Sequence, residues 1–449
     1  MKSESSGAQP RDPGDDPLVL AWGKTLARRG DEPAIFGPEG AVQRTFRDIE
    51  ERARELEAAL ENEVHPIDIG NDPDWPSHLL AALRRGAVAI PLESTITAQQ
   101  REAALRICQS APAAEPRPVL LKLTSGTTAA PRAIRFRSEQ LLADCNQICD
   151  TMRIRGDDIN FAVIPLSHSY GFSNVVTPLL VRGVRVALSR DRMPRAVLDG
   201  LAASSATVFP GMPVFYQAFC EMEQAPVLPN LRLCISAGAP LPLEIARRFR
   251  EKFGHAIHSF YGSSECGGIC YDREARLAEP GFVGTAMEGT TIELVDAGAD
   301  SSRIKIRTAA AGDGYFPEPD EEKLGRGFFS PDDLLMESET GFRIVGRVSD
   351  VINVAGKKVN PAEVEAELLR YPGVRAAIVF GRASARRNEE VAACVAAGDT
   401  VRESDLLEFC RQRLSGWQVP KRIFFVDDIP VNERGKVNRQ ELRERFGHA

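Results

Sequence analysis

Short apolar runs separated by glycine and proline recur along almost the whole chain. Glycine and proline contribute 36 and 30 of the 449 residues, and they interrupt the runs at 161–166, 184–188, 206–210 and 231–238. Runs of four to eight apolar residues are typical of buried strands, and the spacers between them show helical spacing. Alternating strands and helices predict an α/β fold built around a large multi-sheet domain.

Two of the spacers have clear helical periodicity. In the segment 45–60, four apolar residues stand three or four positions apart, namely Ile49, Ala53, Leu56 and Leu60. This spacing predicts one amphipathic helix. We expect Ser138 to cap a second helix, whose apolar stripe includes Cys145 and Cys149. Cysteines in such a stripe indicate core packing rather than redox chemistry.

The pattern predicts two domains joined by a short hinge. Residues 1–17 are polar and rich in Ser, Gly, Pro and Asp, so they are predicted to form a disordered tail. Residues 18–346 are assigned to the large N-terminal α/β domain and residues 347–349 to the hinge. Residues 350–449 contain further short apolar runs between helical segments, which predicts a small, mobile α+β domain.

Charge and cysteine content narrow the functional classes. Acidic residues outnumber basic ones by 63 to 56, giving a net charge of −7, so no global basic field favours nucleic acid as a partner. The nine cysteines lack zinc or redox-motif spacing, which favours reduced thiols and a cytoplasmic location. No apolar run reaches the ~20 residues that a spanning helix needs, so we expect no transmembrane segment.

The stretch from Lys122 to Arg132 carries the strongest chemical signal. It reads KLTSGTTAAPR and places four hydroxyl groups around one glycine, between two apolar runs. Hydroxyls and backbone N–H groups in such a loop can bind phosphate oxygens. On composition alone, a polar hairpin turn is an equally good interpretation. The phosphate-binding candidates are Thr124, Ser125, Gly126, Thr127 and Thr128.

This loop resembles the phosphate loop of the adenylate-forming superfamily, which includes acyl-CoA synthetases, peptide-synthetase adenylation domains and luciferases. Residues 124–128 and Pro131 match the pattern Thr-Ser-Gly-Thr-Thr-Gly-x-Pro-Lys-Gly, whereas Ala129, Arg132 and Ala133 depart from it. Other segments resemble the superfamily's motifs in the same order along the chain. They lie at 165–171, 236–241, 261–265, 333–334, 346–347, 356–359 and 435–437, so the resemblance covers about residues 45–442.

The resemblance implies a ligase with two half-reactions. ATP and a carboxylic acid give acyl-AMP and pyrophosphate, and a thiol then gives a thioester. The implied cofactors are ATP, Mg²⁺ and either coenzyme A or the phosphopantetheine of an acyl or peptidyl carrier protein. Amino-acid-activating relatives place an aspartate within the segment 164–180, which contains no acid here. A buried substrate ammonium would lack a counter-ion, so a fatty or aryl acid is favoured.

The resemblance also implies roles for individual residues. Glu265 is the expected Mg²⁺ ligand, and Lys436 is the catalytic lysine that bridges the carboxylate and the α-phosphate. His168 is either a gate for the carboxylate or a structural residue. The further ATP-binding candidates are Gly238, Ala239, Pro240, Tyr261 (stacking on adenine), Gly262, Ser264, Asp333 (binding ribose) and Arg347. The acyl-pocket candidates are Tyr170, Phe172, Met212, Gly267 and Gly268, those beside the thiol are Gly356 and Lys357, and the hinge pivot is Ser349.

Two alternatives remain open at this stage. The enzyme could form acyl-AMP for a dedicated carrier protein in a biosynthetic pathway. It could instead be a degenerate relative that binds nucleotide without turnover. The second alternative is motivated by departures from the superfamily's motifs at Ala129, Ser264, Pro331 and Ser349. Retention of the charged candidates, including Glu265 and Lys436, argues against it.

Overall fold

The computed structural model describes residues 15–123, 132–277, 279–296, 301–384, 388–429 and 439–446. It divides into two compact units, with strands and helices mixed in each. The first unit is Met1–Leu277, Val283–Ile292 and Ile306–Ser330, and the second is Ala278–Phe282, Glu293–Lys305 and Pro331–Ala449. This architecture confirms the predicted α/β class with a large and a small part. The hinge at residues 347–349 stays a prediction, and the second unit includes residues 331–346.

Helices account for much of the first unit. Its α-helices are Pro17–Arg29, Phe46–Ala59, Trp75–Arg85, Ala98–Cys108, Ser138–Met152, Ser169–Gly171, Thr177–Arg182, Pro194–Ala203, Pro213–Glu221 and Leu243–Phe253. A 3₁₀ turn occupies Ala111–Ala113, and a π-helical segment, Phe172–Val176, continues the short helix Ser169–Gly171. The helix predicted within 45–60 is confirmed, with Thr45 and Asp48 forming a reciprocal cap at its start.

The largest sheet of the first unit has six parallel strands at its centre. In spatial order they are Ile257–Ser263, Leu233–Ser236, Val208–Gly211, Ile159–Ala162, Arg185–Leu188 and Pro33–Phe36. Val42–Thr45 pairs antiparallel at one end, and Gly267–Tyr271 pairs antiparallel at the other, followed by Phe282–Ala286. The strands of a parallel sheet are buried on both faces. This burial explains why they appear in the sequence as continuous apolar runs.

A second, five-stranded sheet carries the hydroxyl-rich loop. Its spatial order is Gly314–Phe316, Ala133–Phe136, Leu120–Leu123, Val88–Pro91 and Val64–Ile67. Leu120–Leu123 and Ala133–Phe136 pair antiparallel, so the two strands predicted to flank the loop are confirmed. The five hydroxyl and glycine candidates from Thr124 to Thr128 lie outside the described residues. The remaining strands near this unit are Thr290–Leu294, Ser302–Thr308, Leu324–Gly325 and Phe328–Phe329.

The cap expected at Ser138 is wrong, and the last residue assigned to the tail lies in a helix. Pro17, predicted to end the disordered tail, is the first residue of a helix, because Asp16 accepts hydrogen bonds from the free N–H groups of Leu18 and Val19. Ser138 is the first residue of its helix rather than the cap. The Gln140 side chain accepts the Arg137 N–H at 2.7 Å, while the Ser138 hydroxyl donates to Asp16.

Aromatic side chains fill the space between the parallel sheet and two helices. Phe209 packs against Phe215, Tyr216 and Phe219 with ring centroids 5.5–6.2 Å apart, and Tyr216 meets Phe249 edge-on at 5.0 Å. Truncating one such ring to alanine typically costs about 3–5 kcal/mol. This cluster therefore anchors the strand Val208–Gly211 to the helices Pro213–Glu221 and Leu243–Phe253.

The second unit consists of a hairpin followed by a small mixed sheet. The hairpin is Asp333–Ser338 and Gly341–Arg347, and a 3₁₀ turn at Val348–Asp350 follows it. The sheet is formed by Lys357–Val359, Ile352–Val354, Asn388–Ala397 and Val374–Ser384, with Arg422–Phe425 parallel to Asn388–Ala397. The helices are Pro361–Leu369, Glu403–Arg411 and Arg439–Phe446.

All nine cysteines are buried and none forms a disulfide. Cys145 and Cys149 lie in the core beneath the sheet, as their place in the apolar stripe predicts. Within the described ranges, no helix is long and apolar enough to cross a membrane.

Candidate active site

Glu265 is held at the end of the strand Ile257–Ser263 by contacts on its backbone and its side chain. Its N–H donates to Ser263 Oγ at 3.2 Å, and its carbonyl accepts from Gly312 N at 2.9 Å. The Tyr315 hydroxyl donates to Glu265 Oε1 at 3.1 Å. Burial raises the pKa of the carboxyl, and these hydrogen bonds oppose that rise. The result is a carboxylate in a fixed orientation with one oxygen engaged by a neutral donor.

His168 caps the short helix Ser169–Gly171. Its Nδ1 accepts the Tyr170 N–H at 3.3 Å, so in the neutral ring Nε2 carries the proton. The next residue reaches the Glu265 segment, because Ser169 Oγ donates to Ser264 Oγ at 2.9 Å. The structure therefore brings the predicted gate segment and the predicted Mg²⁺ segment into direct contact. The cap gives His168 a local structural role.

The predicted acyl-pocket residues lie on neighbouring elements of the first unit. Tyr170 packs on Phe260 at 5.9 Å and donates its hydroxyl to the Gly211 carbonyl at 3.2 Å. Phe172 is buried and meets Trp75 edge-on at 5.9 Å. Met212 lies near the predicted adenine-binding turn, since a Cβ at Gly238 would come 3.8 Å from its sulfur.

Gly267 and Gly268 have packing reasons to be glycine. A Cβ at Gly267 would come 1.9 Å from Asp144 Oδ1, and φ there is +69°. A Cβ at Gly268 would come 2.4 Å from the Met287 sulfur. Both distances are far shorter than a carbon contact allows, so neither position accepts a side chain without rearrangement. Whether their backbone lines an acyl pocket stays a prediction.

Lys122 and Asp144 are two buried charges that the sequence analysis did not select. Lys122 lies on the strand before the hydroxyl-rich loop, and burial lowers its pKa to about 8. Asp144 lies on the helix Ser138–Met152, and burial raises its pKa. Lys122 experiences the charges of both Asp144 and Glu265. The sequence signals that could have identified the two residues are a lysine within the apolar run VLLKL and an aspartate within the apolar helix stripe LLADC.

The predicted nucleotide-binding residues of the first unit differ in accessibility. Tyr261 exposes 8% of its surface, whereas Gly262, Gly238 and Pro240 are exposed and Ala239 is half-buried. Gly238 has φ of +86°, a conformation that glycine adopts without strain. Their roles with a nucleotide stay predictions.

In the second unit, the structure brings the two predicted ribose-binding residues together. Asp333 and Arg347 stand opposite each other in the hairpin, and Arg347 Nε donates to Asp333 Oδ1 at 2.9 Å. The Asp333 side chain is only 15% exposed, whereas that of Arg347 is 55% exposed. The arginine therefore holds the carboxylate in one orientation.

The remaining candidates of the second unit lie on its sheet and turns. Gly356, at φ +85°, lies in the turn between the paired strands Ile352–Val354 and Lys357–Val359. Its N–H donates to Asn353 Oδ1 at 2.9 Å. The Lys357 ammonium lies 3.7 Å from the centre of the Trp417 ring. The backbone of Ser349 belongs to the 3₁₀ turn Val348–Asp350. Lys436 lies outside the described residues.

Side-chain contacts fix the start of the helix Arg439–Phe446. Arg439, the first residue of the last helix, donates to Asp350 Oδ2 at 2.8 Å and to Glu365 Oε1 at 2.7 Å. Its Nε also donates to the Val379 carbonyl at 3.2 Å. All three partners belong to the second unit. Arg439 thus connects the start of this helix to the residue that follows the predicted pivot.

A cavity of about 710 Å³ lies elsewhere in the first unit, among arginines at the carboxyl ends of three helices. Arg29 donates to the Gly183 carbonyl at 2.7 Å, and Arg182 pairs with Asp150 at 2.9 Å. Positive side chains at helix carboxyl ends compensate the helix dipoles. We therefore assign these arginines to helix stabilisation, and none of the predicted site residues lines this cavity.

Comparison with known proteins gives two family-model matches. The model described as AMP-binding enzyme matches residues 106–303, and the model described as AMP-binding enzyme C-terminal domain matches residues 363–436. A feruloyl-CoA synthase of Amycolatopsis sp is 31% identical over 343 residues, which cover 73% of this chain and 70% of that protein. A 3,4-dihydroxybenzoate–[aryl-carrier protein] ligase of Bacillus anthracis is 28% identical over 327 residues, covering 72% and 73%.

Solved structures show the same fold. ATP-bound MatB from Rhodopseudomonas palustris superposes with a TM-score of 0.84 at 23% identity, covering 95% of this chain and 98% of that one. The anthranilate CoA ligase AuaEII in complex with anthranoyl-AMP gives a TM-score of 0.80 at 21% identity, covering 97% and 99%. At these identities the likeness concerns the fold.

Proposed function

The chain belongs to the AMP-binding enzyme family, and from this premise we propose that it activates a carboxylic acid with ATP and transfers the acyl group to a thiol. The acid attacks the α-phosphate, acyl-AMP forms and pyrophosphate leaves. A thiolate then attacks the acyl carbon, giving a thioester and AMP. The observation that carries this proposal is the fixed Glu265 carboxylate, in contact through Ser264 with the predicted gate segment.

The donor set around Glu265 fits Mg²⁺. Magnesium prefers one or two carboxylates together with phosphate and water oxygens. Glu265 offers a carboxylate that is oriented by Tyr315, on a backbone that is held by Ser263 and Gly312. A bound Mg²⁺ would neutralise negative charge that accumulates between the carboxylate and the phosphates. The raised pKa of the free carboxyl is consistent with a site that is completed by a cation.

The protein's own residues then orient and neutralise the reactants. Asp333 would accept hydrogen bonds from the ribose hydroxyls while Arg347 holds it in place. Lys436 would bring an ammonium to the oxygen shared by the attacking carboxylate and the α-phosphate. Charge develops there in the transition state, so a preorganised cation lowers the barrier more than it tightens ground-state binding.

The substrate is proposed to be a fatty or aryl acid. Tyr170, Phe172 and Met212 supply apolar surface, and the polar end of Tyr170 is already satisfied by the Gly211 carbonyl. For the acceptor, one relative is named for coenzyme A and another for an aryl carrier protein. We therefore propose coenzyme A or the phosphopantetheine of a carrier protein as the thiol. Nine buried, unpaired cysteines favour the reducing cytoplasm as the compartment.

ATP–pyrophosphate exchange over a panel of fatty and aryl acids tests this proposal. We expect acid-dependent exchange that requires Mg²⁺, followed by thioester formation when coenzyme A or a phosphopantetheinylated carrier protein is added. Nucleotide binding without exchange for any acid would instead support a degenerate, non-catalytic relative.

A further inference from the structure

Lys122 presents a buried ammonium group for which the described part of the chain supplies no close hydrogen-bond acceptor. The residue is 5% exposed, and Nζ lies 4.8 Å from the ring centres of both Phe136 and Phe172. Among the described residues, no carboxylate oxygen lies within 4.0 Å of this nitrogen. A buried charge without a hydrogen-bonded partner is costly, because the two aromatic faces replace only part of its lost hydration. Within the described residues, the ammonium therefore lacks an acceptor for its N–H groups.

The nearby acid does not fill this gap. Asp144 attracts Lys122 over a distance, but it accepts the Gly268 N–H at 3.1 Å and is further stabilised by the Ser173 hydroxyl. These contacts fix the carboxylate beneath the Gly267–Gly268 step, where it also excludes a side chain at Gly267. Asp144 balances the charge of Lys122, and no hydrogen bond between the two side chains is formed among the described residues.

The ammonium lies among residues assigned to the acyl pocket. It lies over Phe172, and its counter-charge supports the two glycines. Resting on the proposed function, we propose that Lys122 binds an oxygen acceptor, a hydroxyl or phenolic oxygen, on the acyl part of the substrate. The substrate class is then an acid that carries such an oxygen in addition to its reacting carboxylate. The flanking Phe136 and Phe172 rings favour a flat, aromatic acyl group.

A structural role and a specificity role for Lys122 predict different kinetics. A purely structural charge would affect the turnover of all acids alike when it is removed. If the charge binds an oxygen on the substrate, its removal would change the ratio of kcat/KM between two acids that differ only in that oxygen. A site built around a buried polar group discriminates strongly against the analogue that leaves the group unpaired.

The experiment compares matched acid pairs, such as benzoate with 3- and 4-hydroxybenzoate, cinnamate with its hydroxylated forms, and hexanoate with 6-hydroxyhexanoate. We expect the best acid of the wild type to carry the oxygen and to exceed its unsubstituted partner in kcat/KM by at least about tenfold. Lys122→Met should reduce this preference to less than about threefold or reverse it. Lys421→Met, at an exposed lysine, serves as the control.

Two results would overturn the inference: a best acid without an oxygen substituent, or a kcat/KM ratio that survives in Lys122→Met because the loss is equal for both members of a pair. Lys122→Met/Asp144→Asn removes both charges and guards against a folding defect caused by an unbalanced aspartate. If no acid supports exchange, the proposed function fails. The dissociation constants of the same acid pairs for the wild type and Lys122→Met are then measured by calorimetry. The ratio of the two dissociation constants within a pair takes the place of the kcat/KM ratio, with the same expected and contrary results.

Discussion

Tyr315, Ser263 and Gly312 fix Glu265 in one orientation, and this has a consequence at the scale of one residue. Glu265→Gln keeps the size and the acceptor for Tyr315 but removes the negative charge that a hard cation requires. We expect the Mg²⁺ concentration for half-maximal exchange to rise on the order of tenfold. Titration of exchange rates with Mg²⁺ measures this change.

Glu274→Gln is the matched control, because Glu274 is an exposed glutamate of the same unit that pairs with Arg276. It should leave the Mg²⁺ requirement unchanged. An unaltered Mg²⁺ dependence in Glu265→Gln would mean that the carboxylate only supports the local structure.

His65 and His78 form a second residue-scale feature. Their rings stack with centroids 5.2 Å apart, and His65 Nε2 lies 3.0 Å from His78 Nδ1, so one nitrogen donates to the other. Burial and the neighbouring ring lower the pKa of His65 to about 4, from 6.5 in a free side chain. The unfolded chain therefore binds a proton near pH 6.5 that the folded chain accepts only near pH 4.

Stability should consequently fall as pH decreases from 6.5 to 4, by about 1–2 kcal/mol, which is less than the full pKa difference because the ring is partly solvated. In His65→Gln this part of the pH dependence should disappear. Urea unfolding at a series of pH values gives the comparison. If the plots of unfolding free energy against pH were parallel for the wild type and His65→Gln, His65 would not contribute to the pH dependence of stability.

Some site residues could be identified from sequence and others could not. Glu265 and His168 lie in short motifs, and the order of residues within each motif identifies them without knowledge of the residues that pack around them. Lys122 and Asp144 belong to different elements, 22 positions apart, and each looks like a polar interruption of an apolar pattern. Their shared burial depends on how the strand Leu120–Leu123 packs against the helix Ser138–Met152. The periodicity of one segment does not contain that information.

At the scale of elements, the hydrophobic pattern predicts that a strand or helix exists better than it predicts the residues at which that element begins and ends. The parallel strands were identifiable because burial on both faces demands continuous apolar runs. The cap of the helix Ser138–Met152 is misplaced by one residue, and Pro17, assigned to the tail, begins a helix. Asp16 and Gln140 supply the caps, and the choice among several possible polar caps depends on side-chain geometry.

The last helix yields a prediction at this scale. Arg439 fixes the start of Arg439–Phe446 through Asp350 and Glu365, only three positions after Lys436. Arg439→Met should let the helix start shift and should lower acyl-AMP formation about ten- to hundredfold, because a small displacement of a catalytic group has a large effect on rate. The KM for ATP should change little.

Steady-state exchange kinetics of the purified variants measure both parameters. Arg445→Met removes an exposed arginine from the same helix and should retain wild-type rates. A normal rate in Arg439→Met would separate this ion-pair cluster from the function of Lys436.

At the scale of the whole molecule, the division into two units raises the question of rotation between half-reactions. Ser349→Pro fixes φ at the predicted pivot and also restricts Val348 before it. If one arrangement uses Lys436 and the other uses the Gly356 hairpin, pyrophosphate exchange should persist while thioester formation falls severalfold or more. Both rates are measured with the best acid.

Ser349→Ala, which leaves the backbone free, should retain both activities. Equal losses of the two activities in Ser349→Pro, with an intact circular dichroism spectrum, would argue against Ser349 as the pivot. The two-unit organisation itself was predictable from composition, but the inclusion of residues 331–346 in the second unit was not. That assignment depends on how the hairpin Asp333–Arg347 packs, and its motif residues do not show to which unit it belongs.

The burial of every cysteine makes the thiols natural reporters of unfolding. Burial raises the pKa of Cys108 to about 12 and those of Cys394 and Cys410 to about 11, so these thiols are neither accessible nor ionised in the folded chain. Alkylating reagents should modify them only when the surrounding structure opens. Because Cys394 and Cys410 belong to the second unit and the other seven to the first, mass-spectrometric labelling would time the opening of each unit separately, without any engineered probe.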